Sequence, residues 1–183
     1  TRSKLVKKVY EPRCTHHYHF EGSPGVGSNV DGYLELFLGP MFASKSLSWR
    51  ESMRRVERTG AEHVAFKWLK DRRGNKGRKL KPYDTGYVEL KNGERIPALL
   101  VRDAKDIRDY LSRNSGIRNI FVDELQFISG IYDLVFNLMP QGYRFYGTGL
   151  PRPFKRTGFG EVPALMCLAD RINMLNSYCV TCH

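Results

Sequence analysis

Residues 39–46 have the sequence GPMFASKS. A glycine, five further residues and then Lys-Ser form the pattern of a phosphate-binding loop, whose backbone N–H groups surround phosphate groups. The residue before the lysine is normally a second glycine. Here it is Ser44, which keeps the N–H donor but adds a Cβ close to the phosphates. The pattern predicts a nucleotide site, with a tight strand-to-helix turn without ligand as the alternative.

The segments on either side of the loop favour the nucleotide site. Residues 33–39 (YLELFLG) form an apolar strand that runs into the loop, and residues 45–60 form a helix that ends at Gly60. In this setting Lys45 would reach the terminal phosphates and the Ser46 hydroxyl would bind Mg²⁺. The helix N-terminus would add a favourable dipole to the same site.

Strands alternate with helices along the rest of the chain. We predict strands at 63–69, 118–125, 143–150 and 172–179, a hairpin at 87–101 that turns at Asn92-Gly93, and helices at 104–116, 130–140 and 160–170. Short apolar strands between helices are typical of a parallel sheet with helices on both faces. The predicted fold class is therefore α/β.

An acidic pair, Asp123-Glu124, follows the buried-looking strand segment IFV. In parallel α/β sheets, ligands bind at the carboxyl ends of the strands. Asp123 is therefore placed to hold Mg²⁺ through water, and Glu124 could accept a proton from an attacking hydroxyl. Taken alone, the pair is better explained by solvated residues that close a strand. Together with the loop at 39–46, the functional interpretation is favoured.

Charge points to anionic partners. The chain has 183 residues, with 30 Lys and Arg against 19 Asp and Glu, and a formal net charge of +11. Residues 1–32 form a basic extension rich in His and Gly, and residues 67–86 are predicted to form a basic mobile loop. No apolar run approaches the roughly 20 residues of a membrane span, so we expect no membrane partner. The candidates for contact with RNA are Lys70, Arg72, Arg73, Lys76, Arg78, Lys79 and Lys81.

Four sequence blocks together resemble a known family. LELFLGPMFASKS (34–46), IFVDELQF (120–127), GLPRPFKRTGFG (149–160) and the C-x-x-C of Cys179 and Cys182 occur in the order found in the type II thymidine kinases, the zinc-containing P-loop kind. That family carries G-P-M-F-[AS]-G-K-[ST], D-E-x-Q-F, G-L-D-x-x-F with a downstream P-F-G, and C-x-x-C. The resemblance implies a P-loop NTPase-like (RecA-like) domain at 33–171. It also implies a small zinc and lasso element, which would begin at 172–183 and be incomplete in this chain.

The resemblance implies a reaction and a set of roles. The reaction is transfer of the ATP γ-phosphoryl group to the 5′-hydroxyl of deoxythymidine, with Glu124 as catalytic base and Ser46 and Asp123 at Mg²⁺. Asp71 and Arg73 lie where the family has K-D-T-R. The ATP-binding residues would be Gly39, Pro40, Met41, Phe42, Ala43, Ser44, Lys45 and Ser46, and the nucleoside-pocket residues Met41, Gln126, Phe127, Phe154 and Phe159.

A structural zinc ion is a further expectation. Cys179 and Cys182 supply two of the four ligands that such a site normally takes. The N-terminal segment CTHHYH offers Cys14, His16, His17 and His19, and we expect Cys14 and one of these histidines to complete the site. The alternatives are a polar His-rich loop without metal, and cysteines that are free or bind metal with other residues.

Departures from the family motifs suggest a second function. Ser44 replaces the loop glycine, Pro151 the aspartate of G-L-D and Gly158 the proline of P-F-G, and LKNGE (90–94) stands in place of a His-Asp-Gly element. The alternative is therefore a catalytically degenerate, RNA-binding component of a ribonucleoprotein such as a mitochondrial ribosome, still able to bind ATP. The enzyme would be cytoplasmic and the alternative would reside in the mitochondrial matrix. The family also implies a homo-oligomer.

Overall fold

The computed structural model describes residues 32–71, 80–151 and 158–177. Strands and helices alternate through most of these residues, as the sequence predicts. The strands are β1 (Tyr33–Leu38), β2 (His63–Trp68), β3 (Thr85–Glu89), β4 (Arg95–Val101), β5 (Asn119–Asp123), β6 (Arg144–Gly149) and β7 (Arg171–Met174). The helices are α1 (Lys45–Arg58), α2 (Ala104–Arg113), α3 (Ile131–Leu138) and α4 (Val162–Leu168).

The strands form a single sheet in the order β3-β4-β2-β5-β6-β1-β7 within the described residues. Every neighbouring pair is parallel except β3 and β4, which form the predicted antiparallel hairpin at one edge. β6 lies between β1 and β5, and the three strands run parallel. The loop after β1 and the acidic pair at the end of β5 therefore both lie at the carboxyl ends of the strands. The fold is α/β, with a mostly parallel sheet flanked by helices, consistent with a P-loop-like fold.

Two apolar cores cover the two faces of the sheet. Helices α2, α3 and α4 pack on one face through residues that include Ile107, Leu134 and Leu165. Helix α1 covers the other face, where Trp49 contacts Phe121 edge-to-face, with 5.7 Å between ring centroids. The indole N–H of Trp49 donates to the carbonyl of Tyr146 at 2.9 Å, so the only polar group of this buried side chain is satisfied. This packing holds the start of α1, and with it the loop, against the end of the sheet.

The ends of the described segments differ in detail from the predicted ones. Strand β2 continues to Trp68 and β3 begins at Thr85, so both ends of the predicted mobile loop 67–86 are strands. Lys67 lies in β2 with 2% of its surface exposed, and its ammonium group donates to the carbonyl of Tyr87 at 2.9 Å and is paired with Asp71 at 3.4 Å. Strand β7 crosses the boundary predicted between residues 171 and 172, and it pairs with β1 in the main sheet. Among the described residues, no helix has both the length and the apolar character that a membrane crossing requires.

Candidate functional site

The loop between β1 and α1 has the backbone conformation of an anion-binding loop. Phe42 and Ser44 both adopt the left-handed backbone conformation, with φ of 66° and 60°. Left-handed residues within a tight loop turn successive N–H groups towards one side, which creates a concave anion site. Ser44 makes no side-chain hydrogen bond that would cap α1, and its carbonyl accepts the N–H groups of Leu47 and Ser48. The Lys45 ammonium group donates to the carbonyl of Pro40 at 2.8 Å.

Gly39 is required by a close approach of the backbone. A Cβ at this position would overlap the carbonyl oxygen of Leu175. The N–H of Leu175 also donates to the carbonyl of Leu38, at 2.7 Å. The chain after β7 therefore lies directly against the start of the loop. A side chain at residue 39 would force these two segments apart.

Asp123, Glu124 and Thr148 form one hydrogen-bonded unit at the ends of β5 and β6. The Thr148 hydroxyl donates to Asp123 Oδ1 at 2.6 Å and accepts the N–H of Glu124 at 3.0 Å. Glu124 turns the chain out of β5 with φ of 56° and ψ of 55°, a conformation that costs a non-glycine residue about 1–3 kcal/mol. The structure thus aims the Glu124 side chain along the edge of the sheet, beside the loop.

A first cleft, the loop pocket, encloses about 220 Å³. One wall is the loop itself, and the opposite wall is the end of β3 with the turn that follows it. Its lining residues are Met41, Phe42, Ala43, Ser44, Lys45, Ser46, Leu47, Glu89, Leu90, Lys91 and Glu124. The loop pocket therefore brings together six of the eight residues predicted to bind ATP and the predicted catalytic base.

A second cleft, the aromatic pocket, encloses about 320 Å³. Trp68 and Phe127 stack in it, with 4.6 Å between ring centroids and 13° between ring planes, and Phe159 meets Phe127 edge-to-face at 5.4 Å. Its lining residues are Met41, Lys45, Trp68, Lys70, Asp71, Glu124, Gln126, Phe127 and Leu150. Met41, Lys45 and Glu124 line both pockets, so the two clefts meet at these three side chains.

Gln126 connects Glu124 to the start of the segment after β6. Its side-chain amide donates to Glu124 Oε2, and its Oε1 accepts the N–H of Leu150 at 3.1 Å. Gln126 is buried, with 6% of its surface exposed, so both bonds are shielded from water. Gln126 therefore orients the Glu124 carboxylate between the two pockets.

Glu161 fixes the position of Phe159 from the other side. Its two carboxylate oxygens accept the N–H groups of Gly130 and Tyr132, each at 2.7 Å, at the N-terminus of α3. Gly160 lies between Phe159 and Glu161 and packs so closely on the backbone of Gln126 that a Cβ would lie 2.5 Å from its carbonyl oxygen. The sequence gives no signal for this contact, because residues 130 and 161 are far apart in the chain.

The oxygen donors at the end of the sheet fit Mg²⁺. A carboxylate at Asp123 and a hydroxyl at Ser46 are hard oxygen ligands, and Mg²⁺ in nucleotide sites is held by one or two such groups together with phosphates and water. Ser46 lines the loop pocket, and Asp123 precedes Glu124, which lines the same pocket. The residues present therefore match the chemistry of this ion.

Several predicted site residues lie outside the described residues. These are the zinc candidates Cys14, His16, His17, His19, Cys179 and Cys182, the nucleoside-pocket candidate Phe154, and the basic residues Arg72, Arg73, Lys76, Arg78 and Lys79. Within 32–71, 80–151 and 158–177, no group of three His, Cys, Asp or Glu side chains could hold a metal ion. The zinc site therefore stays a prediction. Of the basic candidates that are described, Lys70 and Lys81 are exposed.

Four residues of the site were missed by the motif analysis. Trp68 and Thr148 lie at or near the carboxyl ends of β2 and β6, where a parallel sheet places its ligands, and this positional signal could have identified them. Leu150 follows the end of β6 in the same way. Lys91 lies in the hairpin turn, within the LKNGE segment that departs from the family pattern, but that departure does not by itself assign a role to the lysine.

A third cleft, also of about 320 Å³, lies between the first half of β2 and β4. It contains none of the predicted site residues. Its charged groups neutralise one another, since Arg50 bonds both Glu57 and Glu94 at 2.7 Å. The Arg50–Glu94 pair joins α1 to the hairpin, and the Arg50–Glu57 pair lies within α1, so both have a structural role.

The comparison with protein families agrees with this geometry. The family model described as thymidine kinase matches residues 32–183 of the chain. The match begins just before β1 and takes in the loop, both pockets and every helix and strand given above.

Proposed function

Because the chain belongs to the thymidine kinase family, we propose that it transfers the γ-phosphoryl group of ATP to the 5′-hydroxyl of deoxythymidine. The observation that carries this proposal is the junction of the two pockets at Met41, Lys45 and Glu124. A phosphoryl transfer needs the donor phosphate and the acceptor hydroxyl in contact, with a charged group on either side. The junction supplies a carboxylate and an ammonium group at one place.

The phosphates of ATP would occupy the loop pocket. The N–H groups of the loop and of the first turn of α1 would donate to phosphate oxygens, helped by the helix dipole. Lys45 would exchange its bond to the Pro40 carbonyl for a bond to the terminal phosphates. Such a swap keeps the ammonium group hydrogen-bonded before and after binding, so ATP binding does not have to overcome the cost of an isolated charge.

Glu124 would act as the catalytic base. Its carboxylate accepts the proton of the 5′-hydroxyl as the oxygen forms a bond to the γ-phosphorus, and the bond from that phosphorus to the bridging oxygen breaks to release ADP. Gln126 donates a hydrogen bond to one oxygen of Glu124 and so orients the carboxylate towards the proposed position of the hydroxyl. Asp123 and Ser46 would hold Mg²⁺, which neutralises charge on the phosphates. Thr148 keeps the Asp123 carboxylate in place.

The thymine base would bind in the aromatic pocket. Phe127, stacked on Trp68 and braced by Phe159, offers a flat apolar wall of the kind that planar bases contact. Asp71 and Lys70 at the rim add polar groups to this wall. The family's preference for deoxythymidine, together with the size of this cleft, supports a single nucleoside as the acceptor.

The direct test is phosphorylation of thymidine with γ-labelled ATP and Mg²⁺. We expect Glu124→Gln to lower kcat by about 10²–10⁴-fold, the usual contribution of a positioned base, and to leave the KM for thymidine nearly unchanged. Glu62→Gln is a matched control, because Glu62 is exposed at the opposite end of β2. Equal rates in the wild-type and Glu124→Gln proteins would contradict the proposed role of Glu124. No turnover in the wild-type protein would contradict the proposed function.

The second candidate function, an RNA-binding component of a ribonucleoprotein, is favoured by the net charge of +11 and by the basic run that includes Lys70 and Lys81. Binding through phosphate contacts would weaken steeply with salt. We expect a protein with this role to bind RNA without turning over thymidine, and to lose the binding when Arg72, Arg73, Arg78 and Lys79 are neutralised. RNA partners, the homo-oligomer, the cytoplasmic or mitochondrial location and bound zinc all stay predictions.

A further inference from the structure

The β3–β4 hairpin contacts the loop through one lysine. Lys91, in the turn after β3, donates from its ammonium group to the carbonyl of Phe42 at 2.6 Å. The same ammonium group lies 5.4 Å from the centre of the Phe42 ring. Phe42 is a loop residue in the left-handed conformation and is 74% exposed, so its carbonyl would otherwise face water.

Lys45 and Lys91 make equivalent contacts with the loop. Lys45 donates to the carbonyl of Pro40 and Lys91 to the carbonyl of Phe42, two residues further on. Both lysines line the loop pocket, one from the helix side and one from the hairpin side. Two ammonium groups therefore flank the space proposed for the phosphates.

The position of Lys91 is fixed by ion pairs between the hairpin and α1. Glu94 Oε1 accepts from Arg50 at 2.7 Å, and Glu94 Oε2 accepts from Arg54 at 2.8 Å. Within the turn, Leu90 donates to the carbonyl of Glu94 at 2.8 Å, and Gly93 takes the positive φ of 83° that closes it. Because α1 begins directly after the loop, these bonds fix the position of the hairpin relative to both α1 and the loop.

The charge balance of the loop pocket depends on Lys91. The other charged side chains that line it are Lys45, Glu89 and Glu124. Without Lys91, two carboxylates would face one ammonium group, a balance that disfavours a triphosphate. With Lys91 the lining is neutral before the loop N–H groups and the helix dipole are added.

We propose that Lys91 is a second phosphate-binding ammonium group, which moves from the Phe42 carbonyl to the triphosphate of the bound nucleotide. This inference rests on the proposed function, since it assigns the loop pocket to the phosphates of ATP. It adds a binding residue that comes from the hairpin and lies outside the loop motif. Lys91 would contact the phosphates from the side opposite Lys45, where it closes the pocket against water.

The test is calorimetric titration of the full chain with ATP and with inorganic triphosphate, each in the presence of Mg²⁺. We expect Lys91→Gln to weaken both ligands by about ten-fold, the range for one charge-assisted hydrogen bond, and Lys91→Arg to retain most of the affinity. Lys105→Gln is the matched control, because Lys105 is an exposed lysine of α2 in a different cleft. It removes the same charge and should bind both ligands as the wild-type protein does.

Salt dependence separates phosphate contact from mere bracing of the loop. A lost contact between charges gives a penalty that shrinks as salt screens it, so the gap between Lys91→Gln and wild type should narrow at high salt. A loss of affinity in Lys91→Gln that stays constant with salt would overturn the proposal, and would indicate that Lys91 only stabilises the loop through the Phe42 carbonyl. Wild-type affinity in Lys91→Gln would overturn it outright. Binding of triphosphate that depends on Lys91, without phosphorylation of thymidine, would support Lys91 and contradict the proposed kinase activity.

Discussion

Thr148 Oγ1 lies 2.6 Å from Asp123 Oδ1, and the register of β5 and β6 explains why. Val122 pairs with Gly147, so the next residue of each strand, Asp123 and Thr148, lie side by side at the carboxyl edge of the sheet. The same hydroxyl accepts the N–H of Glu124, the residue that turns the chain out of β5. One threonine therefore positions both members of the acidic pair, although it belongs to neither sequence motif.

We expect Thr148→Val to impair the site while keeping its shape. Valine has nearly the same volume, but it leaves the Asp123 carboxylate and the Glu124 N–H without this partner, at a cost of about 1–3 kcal/mol in folding free energy. Mg²⁺ titrations of thymidine phosphorylation should show a higher requirement for the ion and a lower kcat. Thr148→Ser, which keeps the hydroxyl, should restore both. If the valine variant loses stability but keeps a normal Mg²⁺ requirement, Thr148 has only a structural role.

The left-handed conformation of Ser44 predicts that glycine at this position would stabilise the protein and favour ATP binding. At φ of 60°, a residue with a Cβ carries about 1–2 kcal/mol of strain that glycine does not. Ser44→Gly should therefore raise the free energy of unfolding by up to about 1 kcal/mol and strengthen ATP binding. Ser44→Ala keeps the Cβ and removes only the hydroxyl. If both variants bind ATP equally well and better than wild type, the hydroxyl is the obstacle and the Cβ is not.

Most of the architecture could be predicted from the sequence, because it depends on local patterns. The alternation of apolar strands and helices, the Asn92-Gly93 turn and the strand-loop-helix at 33–60 all depend on neighbours in the chain. The structure has these elements near the predicted ends, except that β7 ends at Met174 and not at residue 179. Both motifs at the site, the loop and Asp123-Glu124, are also contiguous in sequence.

The supporting contacts could not be predicted in this way, since they join distant segments. Thr148 reaches Asp123 across neighbouring strands, Lys91 reaches Phe42 from a hairpin, and Glu161 reaches the N-terminus of α3. Their side chains are ordinary in local sequence, and only the packing of the sheet brings them together. The burial of Lys67 within a run of charged residues is the same kind of effect, because its ammonium group donates to the carbonyl of Tyr87 in β3, twenty residues further along the chain, at 2.9 Å.

The stack of Trp68 on Phe127 predicts a selective effect on the nucleoside. Trp68→Ala should remove one face of the aromatic pocket and expose Phe127, because the two rings lie 4.6 Å apart. We expect the KM for thymidine to rise at least ten-fold, with little change in the affinity for ATP, since Trp68 does not line the loop pocket. Trp68→Phe should retain most of the thymidine affinity. An equal loss of ATP and thymidine binding in the alanine variant would indicate general unfolding.

We expect a substitution at Glu161 to affect both the stability of helix α3 and the position of Phe159. The Glu161 carboxylate accepts two N–H groups at the start of α3, where a negative charge is also favoured by the helix dipole. Glu161→Gln keeps one acceptor oxygen and removes the charge, and should lower the free energy of unfolding by about 1 kcal/mol. Because Phe159 lies two residues away, the KM for thymidine should also rise, whereas kcat should change little. An unaltered KM in a folded variant would separate Glu161 from the aromatic pocket.

The environment of Asp106 predicts how the free energy of unfolding depends on pH. The carboxylate is buried, with 2% of the residue exposed, and accepts the backbone N–H, Nε and Nη2 of Arg102 at 2.8, 2.9 and 2.7 Å. The hydrogen bonds from the Arg102 side chain hold the pKa of Asp106 below its usual value. Because the folded-state pKa is the lower one, the stabilisation is complete above the unfolded-state pKa of about 3.9 and is lost as the pH falls through the folded-state pKa.

We therefore expect Asp106→Asn to lower the free energy of unfolding by about 1–3 kcal/mol at neutral pH, because Arg102 loses a charged partner. Thermal unfolding followed from neutral pH to about pH 2 should show the difference from wild type narrowing only in the acid range, where Asp106 becomes protonated in the wild-type protein. Asp103→Asn is the matched control. It removes one negative charge from the start of the same helix but keeps an N-cap acceptor for the N–H groups of Lys105 and Asp106, so its stability should stay close to wild type. A difference between Asp106→Asn and wild type that is constant over the whole range would show that the charge of Asp106 contributes nothing and that its burial alone matters.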